Sequence, residues 1–183
     1  IFQNSGVLKT NLYSYTNPDF PTINHHWLSG VVFFWVWKTL GLSGVHGFFI
    51  ILSLITLGIF YALAVKRSNI LTATLIGLLI IPILLERKEI RPEIFSYLFS
   101  GIYFWILLKV KSGEYKLNRL FILPALQIIW ANLHIYFFMG PLLIVVFLAE
   151  SFIKKSPLTK SFGLVFIAGV VATALTPFGL NST

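Results

Sequence analysis

The 183-residue chain has no cysteine, a single methionine and only six carboxylates, Asp19 being the one aspartate. Without thiols there is no disulfide, no thiolate metal site and no cysteine nucleophile, and the redox compartment stays open. Charged residues make up 11% of the chain, against about 25% in a soluble domain. So few charges cannot cover a water-facing surface without large exposed apolar patches. HExxH, GxSxG and phosphate-cradling glycine loops are missing, as are a serine-histidine-acid order and a transporter-type internal repeat. Apolar-polar alternation is missing too, and the apolar runs are too long for barrel strands. What the chain does hold is 57% hydrophobic residues and a mean hydropathy of +0.85, the composition of an integral membrane protein. Its net charge of +8 lies in short loops between apolar runs, where membrane proteins keep it. Nucleic-acid binding would need that charge gathered on one face of a soluble scaffold.

The runs predict an all-α, polytopic transmembrane fold forming one domain over 1–183. Residues 1–26 are polar and turn-rich, and Pro18 and Pro21 exclude a regular helix there. Residues 27–40 are apolar but short for a span of about 20 residues, with Trp27, Trp35 and Trp37 suited to an interface. An interfacial helix is favoured over a short membrane helix, stopped by Gly41 and Gly44. About six membrane helices follow within 45–176: 45–65, 69–85, 92–108, a short 120–133 containing Pro124 and Gln127, 135–153 and 158–176. The chain opens without Met and stops just beyond an apolar run. A fragment of a longer protein is the expectation, with a processed small protein as the alternative.

If the spans alternate from residue 45, one side receives Lys66, Arg67, Lys109, Lys111, Lys116, Arg119, Lys154, Lys155 and Lys160, and the other only Arg87, Lys88 and Arg91. The richer side is expected in the cytoplasm. Arg91, Glu93, Asn132 and His134 then share the outer face, and so does the 1–26 loop if 27–40 lies flat.

Each polar residue has a structural and a chemical reading. Asn132 and His134 in WANLH are either a helix-helix hydrogen-bonding pair or the lining of a polar cavity that meets an anionic substrate. Glu93, behind Pro92, suits a helix N-terminus, and Arg91 beside it can hold a phosphate by bidentate donation. Glu86–Glu89 reads as a solvated charge run. His25 and His26 with Asp19 could bind a divalent metal, though the spacing is no recognised signature. His26 could equally cap the helix that follows or hold a headgroup. Asp19 is the one carboxylate of its loop able to act as a base. His46 reads as structural, and Glu150 as a surface partner of Lys154 at i,i+4.

The stretches NLYSYTNPDFPTINHHWLSG, RPEIFSYLF, LPALQIIWANLH and TPFG resemble polytopic membrane glycosyltransferases of the GT-C superfamily. More narrowly they are similar to a mostly uncharacterised bacterial branch related to enzymes that mannosylate proteins or add sugars to lipopolysaccharide. The resemblance covers nearly the whole chain but only the N-terminal part of such an enzyme. It implies a multi-pass protein of the bacterial inner membrane, a polyprenyl-phosphate sugar as donor, transfer at the outer face and an acid in the first outer loop that orients or deprotonates the acceptor. On that reading Asp19 is catalytic, and His25, His26, Arg91, Glu93, Asn132 and His134 bind substrate. Departures exist. The branch often has an acid where this chain has Asn11, and His-Glu-Trp where it reads His25-His26-Trp27; Thr176 replaces a usual asparagine. A non-catalytic membrane protein and a transporter or flippase of lipid-linked precursors are the alternatives.

Overall fold

The computed structural model describes Thr16, Asn24, residues 26–85 and residues 89–177, the side chains of 83–85 excepted. Asp19 and His25 lie outside the described residues. Six α-helices form a polytopic all-α membrane bundle: α1 (Trp27–Arg67), α2 (Ile70–Leu85), α3 (Glu93–Lys111), α4 (Ile122–Leu133), α5 (Met139–Ile153) and α6 (Thr159–Thr173). No strand occurs among the described residues. A 3₁₀ turn at Leu117–Phe121 leads into α4, and another at Ile135–Phe138 leads into α5. Three segments are long and apolar enough to cross a membrane: Trp27–Arg67, Glu93–Lys111 and Ile135–Ile153. The other apolar helices are shorter.

α1 is two limbs joined at Gly41. Its backbone there (φ 69°, ψ −170°) lies in a region essentially closed to residues with a Cβ. Three residues on, a Cβ at Gly44 would sit 2.1 Å from Leu40 Cβ. The expected helix stop at Gly41 and Gly44 is therefore a bend, and the helix resumes at once.

The second limb runs alongside α3 in the same direction. Phe48 lies near Phe95 early in α3 (ring centroids 6.4 Å). Ile59 and Phe60 press on Gly101, and Lys66 reaches Glu114 just past the end of α3 (3.0 Å). The first limb runs across one end of the bundle instead. Trp27 meets Asn132 at the end of α4, and Phe33 packs on both Phe48 and Phe95 (6.2 and 5.6 Å). Phe34, Trp35, Trp37 and Leu40 remain exposed on this limb, a surface suited to an interface rather than to water.

The core lies between α3, α4, α5 and α6, around Tyr103, Leu107, Leu123, Trp130, Ile144, Phe162 and Val165. Its polar contents are paired, as a low-dielectric interior requires. Pro141 has no N–H to offer the Phe137 carbonyl four residues back, and the wholly buried Gln127 Nε2 donates to that carbonyl instead (2.9 Å). The Tyr103 hydroxyl lies 2.8 Å from Gln127 Oε1 and 2.7 Å from the Leu123 carbonyl. Gly140 leaves room for this group, since a Cβ there would fall 2.3 Å from Gln127 Oε1. Elsewhere, hydroxyls fold back on their own helices, as at Ser53, Thr56 and Thr173.

Gly41→Ala is expected to destabilise the protein in detergent by about 1–3 kcal/mol. Gly58→Ala and Gly77→Ala, at helical positions with open space around them, should be neutral or stabilising by up to about 1 kcal/mol. Thermal unfolding of the three variants checks the contrast.

Candidate functional site at the histidine end

The end of the bundle crossed by the first limb of α1 gathers most of the polar side chains singled out above. The chain enters that limb through Asn24, whose side chain accepts the His26 backbone N–H (3.1 Å). His26 occupies the N-cap position, but its side chain makes no capping hydrogen bond; the local cap is Asn24. The His26 ring stacks instead on His134 (centroids 4.8 Å, interplanar angle 28°).

His134 stands between α4 and the turn into α5, and a chain of hydrogen bonds fixes its state. Trp130 is buried and its indole N–H can only donate. It donates to Ser96 Oγ (2.8 Å). The Ser96 hydroxyl lies 2.8 Å from His134 Nδ1, so its proton is directed there. The Tyr136 backbone N–H approaches the same nitrogen at 3.4 Å. With Nδ1 accepting, the network assigns the neutral tautomer protonated on Nε2. Burial, then the charge of His26, pushes the His134 pKa down to about 4, and Glu93 opposes the shift.

Asn132 binds three segments. Its Oδ1 accepts the Trp27 indole N–H (2.9 Å), and its amide nitrogen donates to the Ile128 and Leu175 carbonyls (2.7 and 3.1 Å). Glu93 begins α3, and Arg91 Nη1 lies 4.0 Å from Glu93 Oε1. The Arg91 guanidinium is half exposed and pairs with the exposed Glu89, through Nε at 2.6 Å and through Nη2. Its hydrogen bond, then its charge, raise the Arg91 pKa further.

Four of the expected residues thus share this end: His26, Glu93, Asn132 and His134, with Arg91 at the edge through its approach to Glu93. His46 does not join them; its Nδ1 lies 3.0 Å from the Leu42 carbonyl on its own helix. Ser96, Trp130 and Trp27 connect the cluster and were not among the sequence candidates. The signal for one of them was spacing: Ser96 follows Glu93 by three residues, on one face of α3. No group of three or more metal-ligating side chains occurs among the described residues.

The opposite, lysine end is built on ion pairs. Glu114 holds Lys66 of α1 (3.0 Å) and Lys109 of α3, and these lysines, Lys109 first, pull its pKa down to about 2. Glu150 holds Lys111 of α3 and Lys154 (2.6 and 2.7 Å). The i,i+4 pair with Lys154 was readable from spacing, and the link to Lys111 was not.

No family model, no curated protein and no solved structure matches the chain.

Two outcomes are expected. Ser96→Ala leaves the buried Trp130 indole without an acceptor and should cost about 1–3 kcal/mol in thermal unfolding. For His134, the folded pKa lies below the ordinary value of 6.5, so folding favours the neutral ring. Its contribution is complete above pH 6.5 and fades as the pH falls toward about 4, by about 3 kcal/mol at most. His134→Gln should flatten the unfolding profile across that window.

Proposed function

We propose that this membrane protein transfers a sugar from a polyprenyl-phosphate donor to an acceptor at the outer membrane face, as the resembling GT-C glycosyltransferases do. One observation supports this reading above the others: the first limb of α1 is laid over the end of the bundle, bringing His26 onto His134 and Phe33 onto Phe95 at the start of α3. A lipid-linked sugar phosphate presents its reacting bond at that depth, between apolar spans and water. The charge count, nine basic residues against three in the loops beyond residue 45 and four once Lys38 of the first limb is added, favours the histidine end as the outer one.

The roles follow from the groups. Arg91, half exposed and able to donate in a fork, neutralises the departing polyprenyl phosphate. Stabilising that charge is the larger catalytic contribution. His134, neutral, has its Nε2–H left to donate to a phosphate or sugar oxygen. His26 and Glu93 bind beside it, with His25 in the adjoining loop. Asn132 holds the limb in place through Trp27. Asp19 acts as the base on the acceptor hydroxyl; a divalent metal in this loop would need Asp19 and the histidines as ligands.

A second reading, a non-catalytic membrane protein, is favoured by one specific observation. Asn132 spends its oxygen and its amide nitrogen on partners within the chain, as a purely structural residue would. A flippase of lipid-linked precursors would use the same groups to hold phosphate without turnover.

The complete protein in vesicles with a polyprenyl-phosphate sugar tests the proposal. Arg91→Ala is expected to lower transfer by about 10²-fold or more, and Asp19→Asn to abolish most of it. Wild-type rates in both variants would remove these assignments. Donor crossing the bilayer without sugar transfer would select the flippase.

A further inference from the structure

The lysine end holds more cations than its carboxylates can balance. Glu114 and Glu150 are each claimed by two lysines. Arg67, Lys116, Arg119, Lys155 and Lys160 are exposed and pair with no carboxylate among the described residues. Four of them are not scattered. Lys116 precedes and Arg119 lies within the 3₁₀ turn before α4, which packs against α6, and Lys160 lies in the first turn of α6. Lys155 sits in the link between α5 and α6.

The apolar neighbours of these cations are exposed as well. Leu117 and Phe121 flank Arg119, and Phe152 and Ile153, 74% and 79% exposed, precede Lys155. Water alone would disfavour that combination. A bilayer boundary fits it, with the apolar groups among acyl chains and the cations at headgroup depth.

Lys155 adds an independent observation. α5 ends in a paired-bond cap: the Ser156 N–H donates to the Ser151 carbonyl (2.9 Å) and the Lys155 N–H to the Phe152 carbonyl (3.1 Å). The residue at the centre of such a cap adopts a left-handed backbone and is usually glycine. α3 ends at this same side of the bundle with Gly113 at φ +77°, whereas α5 holds Lys155 at φ +49°. The lysine accepts backbone strain that glycine would avoid, and such strain points to a role for the side chain. The sidedness rule accounts for the number of cations here but not for this one.

We propose that Lys116, Arg119, Lys155 and Lys160 form a binding surface for anionic phospholipid headgroups of the surrounding leaflet. Each phosphodiester would be shared by neighbouring cations while the exposed Leu, Phe and Ile side chains pack on its chains. This surface lies at the opposite end from the histidine cluster, so its failure leaves the sugar-transfer reading untouched.

The test is thermal unfolding of the protein in phosphatidylcholine bilayers with and without phosphatidylglycerol. The wild type is expected to melt higher with the anionic lipid, and the gain should shrink in high salt. Lys116→Gln/Arg119→Gln/Lys160→Gln should lose most of the gain, and Lys38→Gln, on the other end, none of it. Lys155→Gly separates strain from binding. It should melt higher than wild type in phosphatidylcholine alone yet gain less from phosphatidylglycerol. Equal melting of the wild type in both bilayers at low salt would overturn the proposal. So would an undiminished gain in the triple variant, or inorganic phosphate reproducing the whole effect.

Discussion

The hydrogen bond from the Trp27 indole to Asn132 (2.9 Å) sets the shape of the molecule at its histidine end. α1 could continue as one straight rod past the bundle; instead it turns at Gly41 and its first limb returns across α3 and α4. Asn132 can hold that limb because it sits in the last turn of α4 and also grips the carbonyl of Leu175 beyond α6. One amide side chain thereby joins three parts of the chain that no backbone bond connects. In a medium without water, each of those polar atoms would be costly if left alone, so the arrangement is closed by necessity as well as by attraction.

The two ends use different chemistry for the same task. At the histidine end, neutral donors and acceptors interlock through Ser96, Trp130 and His134, and the fit depends on direction. At the lysine end, charge suffices: Glu114 draws lysines from α1 and α3, and Glu150 ties Lys111 of α3 to Lys154 just past its own helix. Neutral networks discriminate by geometry and tolerate burial; exposed ion pairs are looser and screened by salt. The specific, ligand-directed chemistry proposed above falls at the first end, and the lipid-directed chemistry at the second.

Run length made the helices legible. A segment that must satisfy its backbone in hydrocarbon is apolar throughout, so the all-α polytopic class follows directly, and even the short stretch at 120–133 corresponds to a real helix, α4. Residues 41–44 show where local pattern falls short. Two glycines look like a stop, but a single left-handed glycine redirects a helix without ending it. The site was legible in part. His134 and Asn132 stood out because a polar pair in an apolar run is conspicuous. Ser96 did not, because one serine among RPEIFSYLF is ordinary until Trp130 is brought to it by packing. Glu114 was hidden for a related reason: it lies in a lysine-rich loop, and its partner Lys66 is 48 residues distant. Asp19 stood out because it is the one aspartate of the chain and the one acid of its loop.

The helices are also unequal in reach. α2 has 16 residues and α6 has 15, lengths of about 24 and 22 Å, whereas the hydrocarbon layer is about 30 Å thick. α2 packs chiefly on α1 and turns Leu71, Leu75, Leu78 and Leu79 outward, so its shortfall is presented directly to lipid. Unequal lengths side by side favour a thinner lipid layer beside α2 than beside the longer limb of α1. The mismatch between neighbouring helices thus gives the two sides of α1 different lipid preferences.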